Sequence, residues 1–148
     1  MSLRTYVPAD IIASFMGTKL HGYAAGTFIT ATRNTDLWEL ITGADGEVTR
    51  IKSNDRAGLV TVTLQQGSLS NEYLSTQVNL DERLNTAIGP FMVKDFSSLK
   101  SIVGGAQAFL KRIPDFARAT ADESNVEWLF AVPILTVFHG AALTPPTE

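Results

Sequence analysis

The side chains that could do chemistry in this chain are few and scattered. Its two histidines, His21 and His139, each precede a glycine near an expected turn or strand end, and neither sits in a pattern that would aim it at a substrate. Paired carboxylates can hydrolyse glycosides when they face each other across a cleft. Asp45 and Glu47 instead flank a turn, Asp81 and Glu82 fall near a helix end, and Asp122 and Glu123 lie in a loop. These are places where solvated or salt-bridged acids belong. Gly67-Ser68-Leu69-Ser70-Asn71 lacks the last glycine of a nucleophile elbow. Gly17-Thr18-Lys19 lacks the upstream glycine and the Gly-Lys order of a phosphate loop. No His-x-x-x-His pair is present to hold a metal, and there is no cysteine to act as nucleophile, zinc ligand or disulfide partner. No enzyme, cofactor or metal site is expected.

Composition points elsewhere. Of 148 residues, 45% are hydrophobic and only 18% charged, against about 25% charged in a typical soluble domain. A surface short of charge is relieved when neighbouring subunits cover part of it. The net charge is −3 with the signs well mixed, so no basic footprint for nucleic acid is present. The opening Met1-Ser2-Leu3-Arg4-Thr5 lacks the apolar run of a signal peptide, and nothing approaches a membrane span, so no membrane anchor is expected.

The elements read as strands and turns with one helix. Ile11 to Met16, Thr27 to Arg33 and Phe91 to Asp95 are β-rich runs, and Leu59 to Gln66 alternates cleanly between Val60, Val62, Leu64 and Thr61, Thr63, Gln65. Asp45-Gly46 between Asp36–Ile41 and Glu47–Lys52 predicts a hairpin with positive φ at both turn residues. A helix with Ser68 or Ser70 as N-cap runs to Leu84. Leu69, Tyr73, Leu80 and Leu84 form its core stripe, while Leu74 and Val78, a quarter-turn away, either widen that buried face or meet a neighbouring molecule at a subunit interface. The run from Val126 to Phe138 is apolar on both faces, with Trp128, Phe130, Val132 and Ile134 on one side, and Pro133 demands an edge or bulge there. The expectation is a mostly β barrel or sandwich with one flanking α-helix. It is a single domain over residues 1–143, with a disordered tail over 144–148.

An ordered series of stretches carries a resemblance: Tyr6-Val7-Pro8-Ala9-Asp10 through Ser14-Phe15-Met16-Gly17, Gly22-Tyr23, Gly26-Thr27-Phe28-Ile29-Thr30, Gly43-Ala44-Asp45-Gly46-Glu47-Val48, Ser53-Asn54-Asp55-Arg56 and Thr61 to Gln66. Over roughly residues 6 to 71 the chain resembles the tail tube proteins of contractile-tailed bacteriophages. The resemblance implies a virion structural protein whose hexameric rings stack into the inner tail tube. DNA and a tape-measure protein pass through that tube without specific binding, and a sheath protein surrounds it. Assembly would occur in the host bacterial cytoplasm. A tailocin or type VI-like injection tube, or a small-ligand-binding β-barrel, are the alternatives. The alternating charges of Asp45, Glu47, Arg50, Lys52, Asp55 and Arg56, with Asn54 beside them, are expected to set register with the next subunit or ring. The polar strand faces Thr30, Thr32 and Thr61, Thr63, Gln65 are expected to face the lumen.

Overall fold

The computed structural model describes residues 3, 7–95, 101–118, 120 and 124–140. Among these residues, after a 3-10 turn at Pro8–Asp10, ten strands and one α-helix follow in chain order: β1 (Ile11–Phe15), β2 (Thr18–Lys19), β3 (Ile29–Arg33), β4 (Trp38–Thr42), β5 (Val48–Lys52), β6 (Gly58–Leu64), α1 (Ser70–Leu84), β7 (Gly89–Asp95), β8 (Ile102–Leu110), β9 (Val126–Val132) and β10 (Thr136–Phe138). All pairings are antiparallel, in the order β2-β1-β7-β8-β9-β6-β3, with β10 added to β8. The long β8 joins two layers. Its first half pairs with β7 and β10, and its last residues, Phe109 and Leu110, pair with Ala131 and Phe130 of β9. Glycines permit this crossing. A Cβ on Gly104 would stand 2.4 Å from the Phe91 carbonyl oxygen, and one on Gly105 would stand 2.4 Å from Val132 Cγ1.

Period-2 alternation fills the interior. On β6, Val60, Val62 and Leu64 point in and Leu59, Thr61 and Thr63 point out; on β9, Trp128, Phe130 and Val132 point in. Phe130 meets Phe91 and Phe15 with ring centroids 4.4 and 5.1 Å apart, so one side chain of β9 ties the β1/β7 layer to its own.

The helix packs on the sheet with a face turned a quarter-turn from the expected stripe. Leu74 and Val78 are buried in the chain's own core beside half-buried Tyr73, whereas Leu69 is 84% exposed and Leu84 is 58% exposed. Both Leu74 and Val78 are therefore corrected from neighbour contacts to core residues. Ser70, Leu74 and Val78 stand at i, i+4 and i+8 on one line, and that line faces the sheet. Leu69, itself in the αR conformation, holds the position before the helix, and Ser68 Oγ accepts the Ser70 backbone N–H at 3.2 Å, so of the two serines Ser68 serves the helix start. Ser70 Oγ instead accepts the His21 backbone N–H at 2.8 Å, and Ser68 Oγ donates to the His21 carbonyl. Tyr73 Oη donates to the Phe15 carbonyl at 3.1 Å, and Trp128 Nε1 donates to Asn71 Oδ1 at 2.9 Å, so α1 is bonded to both layers.

The run 126–138 is two strands. β9 ends at Val132, immediately before Pro133, and the phase slips over the next residues, leaving Ile134 57% exposed and Leu135 buried. Ile134 thus leaves the face it was expected to share with Trp128. The expected tail over 144–148 lies outside the described residues.

Candidate assembly surface

β4 and β5 form a two-stranded sheet of their own, registered from Trp38↔Lys52 to Thr42↔Val48, with all ten strand residues exposed. The turn is not the two-residue one expected. Gly46 N–H bonds the Gly43 carbonyl at 3.0 Å and Gly43 N–H bonds the Glu47 carbonyl at 2.7 Å. Of Asp45 and Gly46, only Gly46 has positive φ, at 88°. This is a three-residue loop whose last position needs glycine's left-handed conformation. Asp45 Oδ1 accepts the Glu47 N–H at 3.2 Å, which fastens the tip.

The pairing sorts the hairpin into two faces. One carries Trp38, Leu40 and Val48 with Arg50 and Lys52; the guanidinium of Arg50 lies 3.7 Å from the Trp38 ring centroid. The other carries Ile41 and Ile51 with Glu39 and Thr49. An isolated two-stranded hairpin is marginal in water. One that is apolar on both sides calls for cover on both sides.

The root is built with more bonds than the tip. Arg33 Nε and Nη2 both donate to the Leu135 carbonyl, at 3.0 and 2.8 Å, and Leu135 N–H returns to the Arg56 carbonyl at 2.9 Å. Asn34 N–H bonds the Ala57 carbonyl, and Ser53 N–H bonds the Leu37 carbonyl. Asp55, expected to reach a neighbour, spends its carboxylate inside the chain: Oδ2 accepts from Thr35 Oγ1 and Oδ1 accepts from the Ala57 N–H at 3.0 Å. The Thr35 hydroxyl, and after it the Ala57 amide, hold the Asp55 carboxyl below the usual aspartate range. An NMR titration should therefore find the Asp55 midpoint below about 3.9, and Thr35→Val should move it upward. Because the folded value is depressed, whatever this turn contributes is present above the unfolded pKa and is lost as pH falls through the folded one. An unshifted Asp55 in the wild-type chain would sink this assignment.

The structure leaves Asp45, Glu47, Arg50, Lys52, Asn54 and Arg56 exposed on the hairpin and its root. Thr30 stands across from Thr61, and Thr32 and Thr63 share that outer face with Glu127, but Leu59 and Leu129 lie between them on the same face. Gln65 does not extend it: it lies past the end of β6, and its side-chain amide bonds the Tyr23 carbonyl at 3.2 Å. His21 and His139 are exposed, and Asp81 Oδ1 accepts the Ala87 N–H at the end of α1. Asp122 and Glu123 lie outside the described residues. Sequence reasoning missed Trp38, Leu40, Ile41, Val48 and Ile51 as surface residues. Their signal was available: a hairpin apolar at both phases of the period-2 pattern.

The family model of the bacteriophage PhiTE tail tube protein matches residues 3–140. The chain belongs to this phage tail tube family. It is a tail structural protein, hence a component of the virion, and not an enzyme. It is 26% identical over 144 residues to "Structural protein ORF10" of Pseudomonas phage KPP10, covering 92% of this chain and 82% of that protein. The fold matches a tube-terminating cap of the anti-feeding prophage with a TM-score of 0.61 at 12% identity, over 95% of each chain. It also matches a chain from the sheath/tube terminator of an extracellular contractile injection system (TM-score 0.63, 12% identity, 93% and 99% covered). A third match is to a chain of that system's sheath-tube complex (TM-score 0.60, 12% identity, 91% and 92% covered). The tail tube protein therefore shares the fold of contractile-injection tube components.

Proposed function

We propose that this tail tube protein closes into hexameric rings that stack into a tube, with DNA and a tape-measure protein passing through the lumen and a sheath outside. The observation that carries this reading is the hairpin β4–β5, apolar on both faces and detached from the core that the same chain builds. A second copy gives it cover. Edge strand β3, paired among the described residues only with β6, offers its other side for sheet extension between subunits. The Thr30, Thr32, Thr61 and Thr63 face suits a lumen, because threonines beside Glu127 give phosphates nothing cationic to stick to. Two structural neighbours are terminators or caps, but the family match supports the repeating subunit.

Electron microscopy of the purified protein across a concentration series, paired with mass measurement of discrete species, tests this. Six-fold rings or hollow tubes are the expected result; a strict monomer at every concentration would count against it. Arg56 is exposed at the hairpin root, and only its backbone carbonyl serves the Leu135 contact. Arg56→Glu is therefore expected to block polymerisation while leaving the unfolding midpoint unchanged. Normal tubes from that variant would remove Arg56 from the interface.

A further inference from the structure

The turn between β1 and β2 carries a residue that such turns avoid. Phe15 pairs with Thr18, so two residues make the turn, and both have positive φ: Met16 at 52° and Gly17 at 83°. A two-residue hairpin turn of this kind calls for asparagine or glycine at its first position, because a Cβ there crowds the backbone. Among the described residues, Met16 and Asn85 are the two non-glycines in this conformation, and Asn85 is a residue suited to it, at the end of α1. Met16 needs something to hold it.

Its neighbours supply the hold. Met16 N–H bonds the Pro90 carbonyl at 2.8 Å, at the start of β7. Its side chain lies over buried Gly89, where an added Cβ would stand 2.5 Å from Met16 Cγ and 3.5 Å from Sδ. One residue back, the Phe15 carbonyl accepts the Tyr73 hydroxyl from α1. The turn is thus clasped to the α1–β7 junction by a backbone bond and a thioether contact. Met16 is nevertheless 36% exposed, so solvent reaches it.

The clasp guards a sheet edge. β2 is two residues long, is outermost on its side and, among the described residues, pairs only with β1. Just beyond it, Leu20 N–H bonds the Ala13 carbonyl at 2.8 Å. When the turn lets go, β1 is left with a row of open backbone groups, a template for pairing with another chain.

A thioether takes an oxygen atom from a peroxide: the sulfur lone pair attacks, the O–O bond breaks, and a sulfoxide forms as water leaves. The sulfoxide is polar, and an apolar contact that depends on the thioether is lost. We infer that Met16 is a modification site at which a peroxide unclasps the β1–β2 turn and opens the edge of β1, and that reduction of the sulfoxide closes it again. Met92 is the comparison within the same chain, 38% exposed on the outward side of β7 but in no strained turn.

The two methionines fall in separate tryptic peptides, residues 5–19 and 84–94, so mass spectrometry reads each alone. Hydrogen peroxide added to the full chain should convert both. Amide exchange over residues 16–20 should then quicken by about tenfold or more, equivalent to about 1.4 kcal/mol of local protection. Met16→Leu keeps an apolar side chain over Gly89 without sulfur, so its exchange should not respond to peroxide, whereas Met92→Leu should respond as the parent does. Methionine sulfoxide reductases added to the oxidised parent should restore slow exchange, which tests the inference even if Met16→Leu does not fold. Unchanged exchange with Met16 fully converted would overturn it. So would equal acceleration in Met16→Leu, or a Met16 that stays a thioether while Met92 converts.

Discussion

Leu40→Glu is expected to abolish ring and tube formation while leaving the barrel's own stability within about 0.5 kcal/mol of the parent, as for a surface substitution. Leu40 is 69% exposed on a hairpin that contributes nothing to the core cluster, so the isolated chain loses little. In the proposed assembly the same side chain would be covered. Full burial of a leucine is worth roughly 1.5–3 kcal/mol, and placing an unpaired carboxylate there adds a desolvation penalty of several kcal/mol. Every 1.4 kcal/mol is about tenfold in affinity, so the concentration needed for assembly should rise by a hundredfold or more. Leu40→Ala should give an intermediate shift. Sedimentation velocity and microscopy read the assembly, and thermal unfolding reads the fold. Tubes from Leu40→Glu at parental concentrations would mean that the hairpin stays uncovered.

Phe130→Ala should do the reverse and strike the fold itself. Phe130 is fully buried and meets two aromatic rings of the facing β1/β7 layer. Truncating it removes the transfer energy of the ring and leaves a cavity that the facing strands cannot collapse into, at a cost of about 3–5 kcal/mol. Against a typical total of about 5–15 kcal/mol, that is a large share. Urea denaturation should show a much lower midpoint with an unchanged slope. A loss below about 1 kcal/mol would place the centre of the core elsewhere. The pair of variants separates the two apolar systems of this chain, one buried by itself and one waiting for a neighbour.

The strands were legible because their patterns are local. Val60, Val62 and Leu64 alternate with threonines, and no other conformation puts the two sets on opposite sides. The hairpin was legible from Asp45-Gly46, although the turn used one left-handed residue where two were expected. The helix face was not. Leu69 and Leu84 lie at or just before the ends of α1, where a stripe drawn through them overhangs the sheet. The buried line runs instead through Ser70, whose hydroxyl serves His21 from a distant part of the chain. A serine at a core position is invisible to hydropathy, because its burial depends on a long-range partner. Asp55 shows the same limit at the candidate surface: its charge is plain in the sequence, but the bonds its two oxygens accept from the Thr35 hydroxyl and the Ala57 amide are set by the fold. Leu135 is legible only after the slip at Pro133 is known.

Leu135 is pinned three ways: its carbonyl by Arg33, its amide by the Arg56 carbonyl, and its side chain by complete burial in the core. Arg33 ends β3, from which the hairpin departs, and Arg56 lies on the returning segment just before β6. The hairpin is thus mounted as a lever on a fulcrum set in the core. A pull on its tip, as when a stacked tube is bent or driven, loads Leu135 and through it the packed interior. Stiffness in the proposed column would then come from the packed interior of each subunit and not from the hairpin alone.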